Sequence, residues 1–198
     1  MRKKLRALHC SARTSIGIYA GARSLSSEIA FLVDKLELIK QQIRIMETTL
    51  IKLVNETEEG KYLLSIQGLN YIAVAGLLAE LGCFKLYRSA KQMIKMAGSN
   101  PTESESAGKR RSKTPMSKQG RPLLRYCAWT AVIPMLRFNA DFRAWAKQRR
   151  ERPAHANPLS GREVVGAALN RLLRLAFALV KNQSYYHDIK PALTPVAV

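Results

Sequence analysis

The sequence predicts a mostly helical protein, in which a long coiled-coil helix precedes a helical domain containing a helix-hairpin-helix. Apolar residues recur at steps of three and four along the first part, several later segments show helical apolar patterns between turns, and no alternating strand pattern stands out. We therefore divide the chain into a basic segment (1–26), a coiled-coil helix (27–59), a helical domain (60–187) and a tail (188–198).

The long helix is indicated by a heptad stripe. Apolar residues fill its a and d positions, and charged residues stand between them. The stripe comprises Ile29, Leu32, Leu36, Ile39, Ile43, Met46, Leu50 and Leu53. Such a stripe favours a coiled-coil contact, and we expect a homo-oligomer formed through residues 27–55. The alternative is a single amphipathic helix lying on its own domain.

A helix-hairpin-helix is predicted at residues 62–82, where two apolar helices flank the turn QGLN (67–70). Gly68 permits a positive φ, and the Asn70 side chain can cap the second helix. In such a module the turn amides and the helix N-terminus can face a phosphate, so Gly68 and Asn70 are candidate DNA-binding residues. An ordinary packed helix pair is the alternative.

A serine-rich basic stretch, SNPTESESAGKRRSKTPMSKQG (99–120), comes next. It holds two prolines, five serines and no apolar period, which predicts a loop. The cations of this loop and of the helix that follows are candidate phosphate contacts: Lys109, Arg110, Arg111, Lys113, Lys118, Arg121 and Arg125. The alternative is a solvated basic linker without a binding role, which would have the same composition.

The remaining segments read as helices. LLRYCAWTAVI is apolar enough to be buried, and EVVGAALNRLLRLAFALVKN is the last strong helix, after which residues from Ser184 on are expected to be loosely ordered. FNADFRAWAKQRRERP combines aromatic residues with many cations, so we expect the cations to follow a phosphate backbone and Phe142 and Trp145 to pack on the opposite side. The candidate phosphate contacts of these two helices are Arg143, Lys147, Arg149, Arg150, Arg152, Arg171 and Arg174.

The charge of the chain indicates a polyanionic partner. The formal net charge is +19, with 33 Lys and Arg against 14 Asp and Glu. Residues 1–105 carry a net +5 and residues 106–198 a net +14, so the second half is expected to make most of the contact. Nucleic acid is the first candidate, and an anionic membrane surface is the second.

Two further observations bear on location. No apolar run reaches the roughly 18 residues that a membrane span requires. Binding to a membrane surface is not expected either, because the apolar helix faces are needed for a core. The three cysteines, Cys10, Cys83 and Cys127, form neither a disulfide framework nor a zinc pattern, which favours the reducing cytoplasm.

A serine beside cations can do more than bind. Attack on a phosphodiester needs a hydroxyl in line with the leaving oxygen, cations on the other oxygens and removal of the serine proton. ESAGKRR supplies the serine and the cations. No base is near in sequence, because His9, His155 and His187 are distant and are expected to be exposed or packed, and no acid cluster suits Mg²⁺.

The order of these segments resembles the C-terminal half of the IS110 family of serine-dependent insertion-sequence transposases. The resemblance covers residues 27–187, and its most specific parts are Ala97, Gly98 and Pro101 after the helix-hairpin-helix, and SKQG (117–120) before the next helix. It implies that DNA is cleaved and rejoined through a phosphoserine link. The implied nucleophile is a serine shortly after the proline, followed by basic residues, which Ser106 fits best, with Ser104 as the alternate.

The chain also departs from the family pattern. Ala107 and Asn70 stand where glycine is usual, and Gln67 stands where proline is usual. The resemblance implies a RuvC-like N-terminal domain that binds Mg²⁺, and these residues contain no such acid-bearing, strand-rich segment. We therefore expect a truncated transposase that binds DNA, is inactive alone and holds no cofactor itself, with Mg²⁺ required only with the missing domain.

The expected partner is DNA, and the resemblance implies a structured guide RNA for some family members. The chain would then lie on the nucleoid in the cytoplasm. The alternative is a non-enzymatic nucleic-acid-binding module or regulator that uses the same hairpin and basic loop.

Overall fold

The computed structural model describes residues 2–14, 22–102, 105–106, 109–110, 115–153 and 158–189. Within these ranges the protein is mostly helical, as the sequence predicts. The chain separates into two compact units, Met1–Met46 and Glu47–Val198, and the predicted domain boundaries stay predictions. None of the helices in the described ranges combines the length and the apolarity that a membrane crossing requires.

The first unit consists of α1 (Arg2–Thr14) and the larger part of α2 (Ala22–Glu56). The long helix is therefore present. Its heptad stripe is exposed, since Leu32, Leu36 and Ile39 keep 54%, 51% and 46% of their surface accessible. The helix is confirmed, while the coiled-coil contact remains a prediction.

The second unit is built around α8 (Gly161–Asn182), which packs against α3 (Glu58–Leu64), α5 (Ala90–Ala97), α6 (Pro122–Phe138) and α7 (Ala140–Arg150). Its buried apolar residues recur at helical spacing: Val164, Ala168, Leu169, Leu172, Leu173, Leu175, Ala176 and Leu179. Each buried leucine contributes on the order of 2 kcal/mol. This helix therefore holds the other helices around one core.

Three shorter helical elements also belong to the second unit. α4 (Tyr71–Leu81) packs on α6, and a 3₁₀ turn (Phe84–Leu86) contacts α8. The last element is α9 (Tyr186–Ile189).

The turn between α3 and α4 has the local features that the sequence predicts. Gly68 has a φ of +98°, and the Asn70 side chain accepts a hydrogen bond from the Ala73 amide at 2.8 Å. A Cβ atom at position 68 would lie 2.8 Å from the Met135 Cα atom, so the turn is pressed against α6. These contacts explain the turn as packing, and its role as a DNA-binding helix-hairpin-helix stays a prediction.

The expectation of loose order from Ser184 on is wrong for the residues that follow it directly. Tyr186 is only 1% exposed, and its amide donates to the Ser65 hydroxyl at 2.8 Å. Its own hydroxyl donates to the Asp141 carboxylate at 2.7 Å. The sequence does not reveal this order, because the segment has no apolar period and the residues that contact Tyr186 lie far away in the chain.

Candidate nucleic-acid interface and serine hairpin

The serine-rich stretch, residues 99–120, is called the serine hairpin below. It was expected to be a loop, but its described parts pair as an antiparallel ribbon. Pro101 and Met116 form a β-bridge, and the Thr102 amide donates to the Pro115 carbonyl at 2.9 Å. Paired segments this short carry no alternating pattern, which is why the sequence does not reveal them.

The base of the serine hairpin depends on Gly98. Gly98 ends α5 in the left-handed conformation, with φ +63° and ψ +30°. A Cβ atom there would lie 2.8 Å from the Gln119 carbonyl carbon, so only glycine lets the two ends of the hairpin approach this closely. The Lys118 amide donates to the Gly98 carbonyl at 2.9 Å, and the Arg121 amide donates to the Met96 carbonyl at 2.7 Å.

Two of the five serines hold this base in place. Ser99 is buried, and its hydroxyl donates to the Ile94 carbonyl at 3.2 Å. The Ser117 hydroxyl bonds the Asn100 side-chain oxygen at 2.8 Å. Asn170 of α8 donates to the Ser99 carbonyl at 3.1 Å, which fixes the hairpin to the central helix.

The outer part of the hairpin contains the proposed nucleophile. Strand β1 (Glu105–Ser106) pairs with β2 (Lys109–Arg110), and the register sets Ser106 opposite Lys109 and Glu105 opposite Arg110. The backbone thus brings Ser106 and two of the predicted cations together. Ser104, Arg111 and Lys113 lie outside the described residues, and the roles of all of them stay predictions.

Arg121 and Arg125 are anchored to backbone carbonyls. Arg121 donates to the Glu80 carbonyl at 2.9 Å, and the half-buried Arg125 donates to the Ala97 carbonyl at 3.0 Å. Arg125 also reaches the Lys118 carbonyl at 3.4 Å. Arg125 therefore supports the hairpin base, Arg121 connects the start of α6 to α4, and the predicted contact of both residues with DNA stays a prediction.

The other predicted phosphate contacts are not gathered with the hairpin. Gly68 packs against Met135, which lies ten residues beyond Arg125 on α6. At a rise of 1.5 Å per residue, the turn is about 15 Å along the helix from the hairpin base. The structure thus separates the α3–α4 turn from the serine hairpin.

Residues 60–147 match the family model of the IS116/IS110/IS902 transposases. The resemblance read from the sequence is confirmed over this segment, which makes up somewhat less than half of the chain and is called the transposase segment below. It contains the α3–α4 turn, the serine hairpin and most of α7. No curated protein matches the chain.

The transposase segment ends within the aromatic-basic helix α7, whose two sides differ. Arg143, Lys147 and Arg150 are exposed and line a shallow cavity of about 280 Å³ between α6 and α7. Phe142 is fully buried on the other side. These three cations face outward, and their contact with a phosphate backbone stays a prediction.

Arg149 and Arg171 are half-buried and lie against an aromatic ring. The Arg149 guanidinium lies 5.5 Å from the centre of the Trp145 ring, and the Arg171 guanidinium lies 5.2 Å from the same ring. Burial lowers the pKa of both arginines, and for Arg171 the nearby Arg149 charge lowers it further. The sequence missed this cluster because Arg171 comes from a different helix.

Among the described residues of the transposase segment and its flanks, no three His, Cys, Asp or Glu side chains are grouped to hold a metal ion. His9 and His187 are exposed, and His155 lies outside the described residues. The resemblance implies Mg²⁺ only in the RuvC-like domain, and that expectation stays a prediction.

Proposed function

We propose that this chain is the DNA-binding, serine-bearing part of a transposase, in which Ser106 forms the covalent link to DNA. The observation that carries the proposal is the position of Ser106. It lies in a hairpin inside the transposase segment, with its backbone paired opposite that of Lys109.

The proposed step is a phosphoryl transfer. The Ser106 hydroxyl oxygen attacks the phosphorus of a phosphodiester, the bond from phosphorus to the leaving sugar oxygen breaks, and that oxygen takes up a proton. Rejoining is the reverse attack by a sugar hydroxyl, which releases the serine. In this proposal Lys109 and Arg110 neutralise charge on the non-bridging oxygens.

The serine proton needs an acceptor, and none of the three histidines lies near the hairpin in the sequence. The resemblance implies that a RuvC-like domain completes the site. We propose that this domain is required whether it belongs to the same polypeptide or to another, and that the 198 residues alone bind DNA without cleaving it.

DNA binding is supported by the exposed cations of α7 and by the net charge of +14 on residues 106–198. Contacts of this kind are made to phosphates and depend steeply on salt, with a logarithmic slope of about −0.9 per neutralised phosphate. Nucleoid association follows from such binding. A structured guide RNA, as the resemblance implies for some members, would meet the same surfaces.

The exposed stripe of α2 supports assembly through a coiled coil with a second copy. Sedimentation of the full chain should show a dimer or a larger oligomer, and Ile39→Asp should convert it to monomer because a charge in the apolar seam is costly. Gln41→Asp, on the outer side of the helix, should leave the oligomer intact. The proposed assembly would be refuted if the wild-type chain sedimented as a monomer at about 100 µM.

The central test supplies a RuvC-like domain of this family in trans with Mg²⁺ and insertion-sequence end DNA. A denaturing gel should show a covalent protein–DNA adduct for the wild type and for Ser112→Ala, a control serine in the same hairpin. The adduct should vanish in Ser106→Ala, while DNA affinity stays unchanged. An adduct that persists in Ser106→Ala and vanishes in Ser104→Ala would move the role to Ser104.

The same experiment distinguishes the non-enzymatic alternative. If no variant and no wild-type chain forms an adduct while all bind DNA equally, the chain is a binding module. If the 198 residues alone form a Ser106-dependent adduct, the requirement for a second domain is wrong.

A further inference from the structure

Arg149 and Arg171 stand against the same indole ring, although they belong to different helices. Arg149 is on α7, one helical turn after Trp145, and Arg171 is in the middle of α8. Arg171 also lies 5.3 Å from the centre of the Phe142 ring. The aromatic rings thus hold two half-buried cations close together at the α7–α8 contact, and we call these four residues the arginine–tryptophan cluster.

The charges of this cluster are not neutralised within the described residues. Neither guanidinium forms an ion pair or a hydrogen bond to a described residue, and the Nε atom of Arg171 is buried without a partner. Asp141 is near enough to favour the charged form of Arg171, but one of its oxygens accepts the Tyr186 hydroxyl at 2.7 Å. Partial burial of two neighbouring cations without hydrogen-bonded acids is unfavourable, so an anion that reaches the accessible guanidinium nitrogens would stabilise the arrangement.

We propose that Arg149 and Arg171 form a binding site for a phosphate group of a nucleic-acid backbone. Guanidinium groups suit this ligand because their planar forks donate parallel hydrogen bonds to phosphate oxygens. The proposal rests on the proposed function, in that a nucleic acid is the source of the phosphate. It goes beyond that function because Arg149 and Arg171 both lie outside the transposase segment.

The position of the site connects it with the serine hairpin. Asn170, the residue before Arg171 on α8, donates to the Ser99 carbonyl at the hairpin base. Adjacent positions on one helix therefore hold the hairpin and the phosphate site. A phosphate bound by Arg171 would fix the nucleic acid against the same helix that positions the hairpin carrying Ser106.

A purely structural role is the competing explanation. Stacking on Trp145 and Phe142 accounts for the orientation of the Arg171 guanidinium. It leaves the other guanidinium donors of Arg149 and Arg171 without an ordinary hydrogen-bond acceptor among the described residues, because a ring face is only a weak acceptor. The two explanations differ in whether an added anion stabilises the protein.

The first measurement is the midpoint of thermal unfolding with inorganic phosphate, compared with chloride at equal ionic strength. Phosphate should raise the midpoint of the wild type, and the rise should be lost in Arg149→Gln and Arg171→Gln. Arg174→Gln, an exposed arginine one turn further on α8, should keep the rise. An equal effect of phosphate and chloride on the wild type would overturn the site.

The second measurement is fluorescence anisotropy of a labelled DNA duplex titrated with the full chain at several salt concentrations. Arg171→Gln and Arg149→Gln should each weaken binding about tenfold and reduce the logarithmic salt slope by about one. Arg174→Gln and Arg162→Gln should weaken it no more than about threefold. Equal losses in all four variants would mean general electrostatic attraction without a site.

The two measurements separate failure of the site from failure of the proposed function. Phosphate stabilisation without DNA binding would keep the anion site and refute the nucleic-acid function. DNA binding that all four variants weaken equally would keep the nucleic-acid function and refute the anion site. If Arg171→Gln does not fold by circular dichroism, Arg149→Gln decides both measurements, since its side chain is less buried.

Discussion

Replacing Gly98 with alanine should destabilise the second unit through the hairpin base. Two costs add, because Gly98 has φ +63° and because the new Cβ atom would lie 2.8 Å from the Gln119 carbonyl carbon. The left-handed backbone costs an alanine about 1–2 kcal/mol, and forcing apart the packed backbone costs about 1–3 kcal/mol. The expected loss of unfolding free energy is therefore about 2–5 kcal/mol.

Urea unfolding followed by tryptophan fluorescence measures this loss in the right part of the chain. Both tryptophans, Trp129 and Trp145, belong to the second unit, so unfolding of the first unit does not enter the signal. Two further variants divide the cost. Gly98→Asn keeps the Cβ contact but tolerates the left-handed backbone, so it should lose about 1 kcal/mol less than Gly98→Ala.

Gly161→Ala is the matched control, because an added Cβ atom there meets nothing within 4 Å. Its unfolding free energy should stay within about 0.5 kcal/mol of the wild type. If Gly98→Ala behaves like this control, with an unchanged denaturant slope, the close approach of Gly98 and Gln119 does not exist in solution. The account of the hairpin base would then be refuted.

Three other predictions test separate contacts. Asn139→Ala should lower the unfolding free energy by about 2–4 kcal/mol in the same assay, because it removes the α7 cap and the donor to the Gln67 carbonyl; a loss below about 0.5 kcal/mol would contradict this. Burial, followed by the hydrogen bond to a carboxylate, raises the pKa of Tyr186 from 10.0 to about 12, so its contribution is complete below pH 10 and is lost as pH rises to 12. The stability difference between wild type and Tyr186→Phe should therefore shrink across that window, and a difference independent of pH would count against the buried phenol. Arg125→Ala should speed tryptic cleavage within the serine hairpin about fivefold, since a tether to the Ala97 carbonyl worth about 1 kcal/mol is lost; unchanged cleavage would show that the tether does not restrain the hairpin.

Local pattern accounts for much of what the sequence predicts correctly. The helical class, the long α2 helix, the positive φ of Gly68 and the Asn70 cap all depend on residues within a few positions of one another. The match to the transposase family likewise follows from the order of such segments. These features are recoverable because helix periodicity and caps are short-range properties.

The candidate site was predictable only in part. Ser106 and its neighbouring cations could be named from the sequence, but their pairing across a hairpin could not, because strands of two residues have no period. The burial of Tyr186 was missed for a similar reason. Its hydroxyl partner Asp141 is 45 positions away, and nothing in the local sequence marks that contact.

The sequence by itself determined the helices, the turn chemistry and the concentration of positive charge in the second half. Tertiary structure alone decided that Asn170 reaches Ser99 across 71 positions and that Arg149 and Arg171 meet at Trp145. Such contacts depend on how whole helices pack around α8. The positions of these helices are determined together, because their apolar residues are buried in one shared core. A side chain's distant neighbours follow from that packing, and no short stretch of sequence contains it.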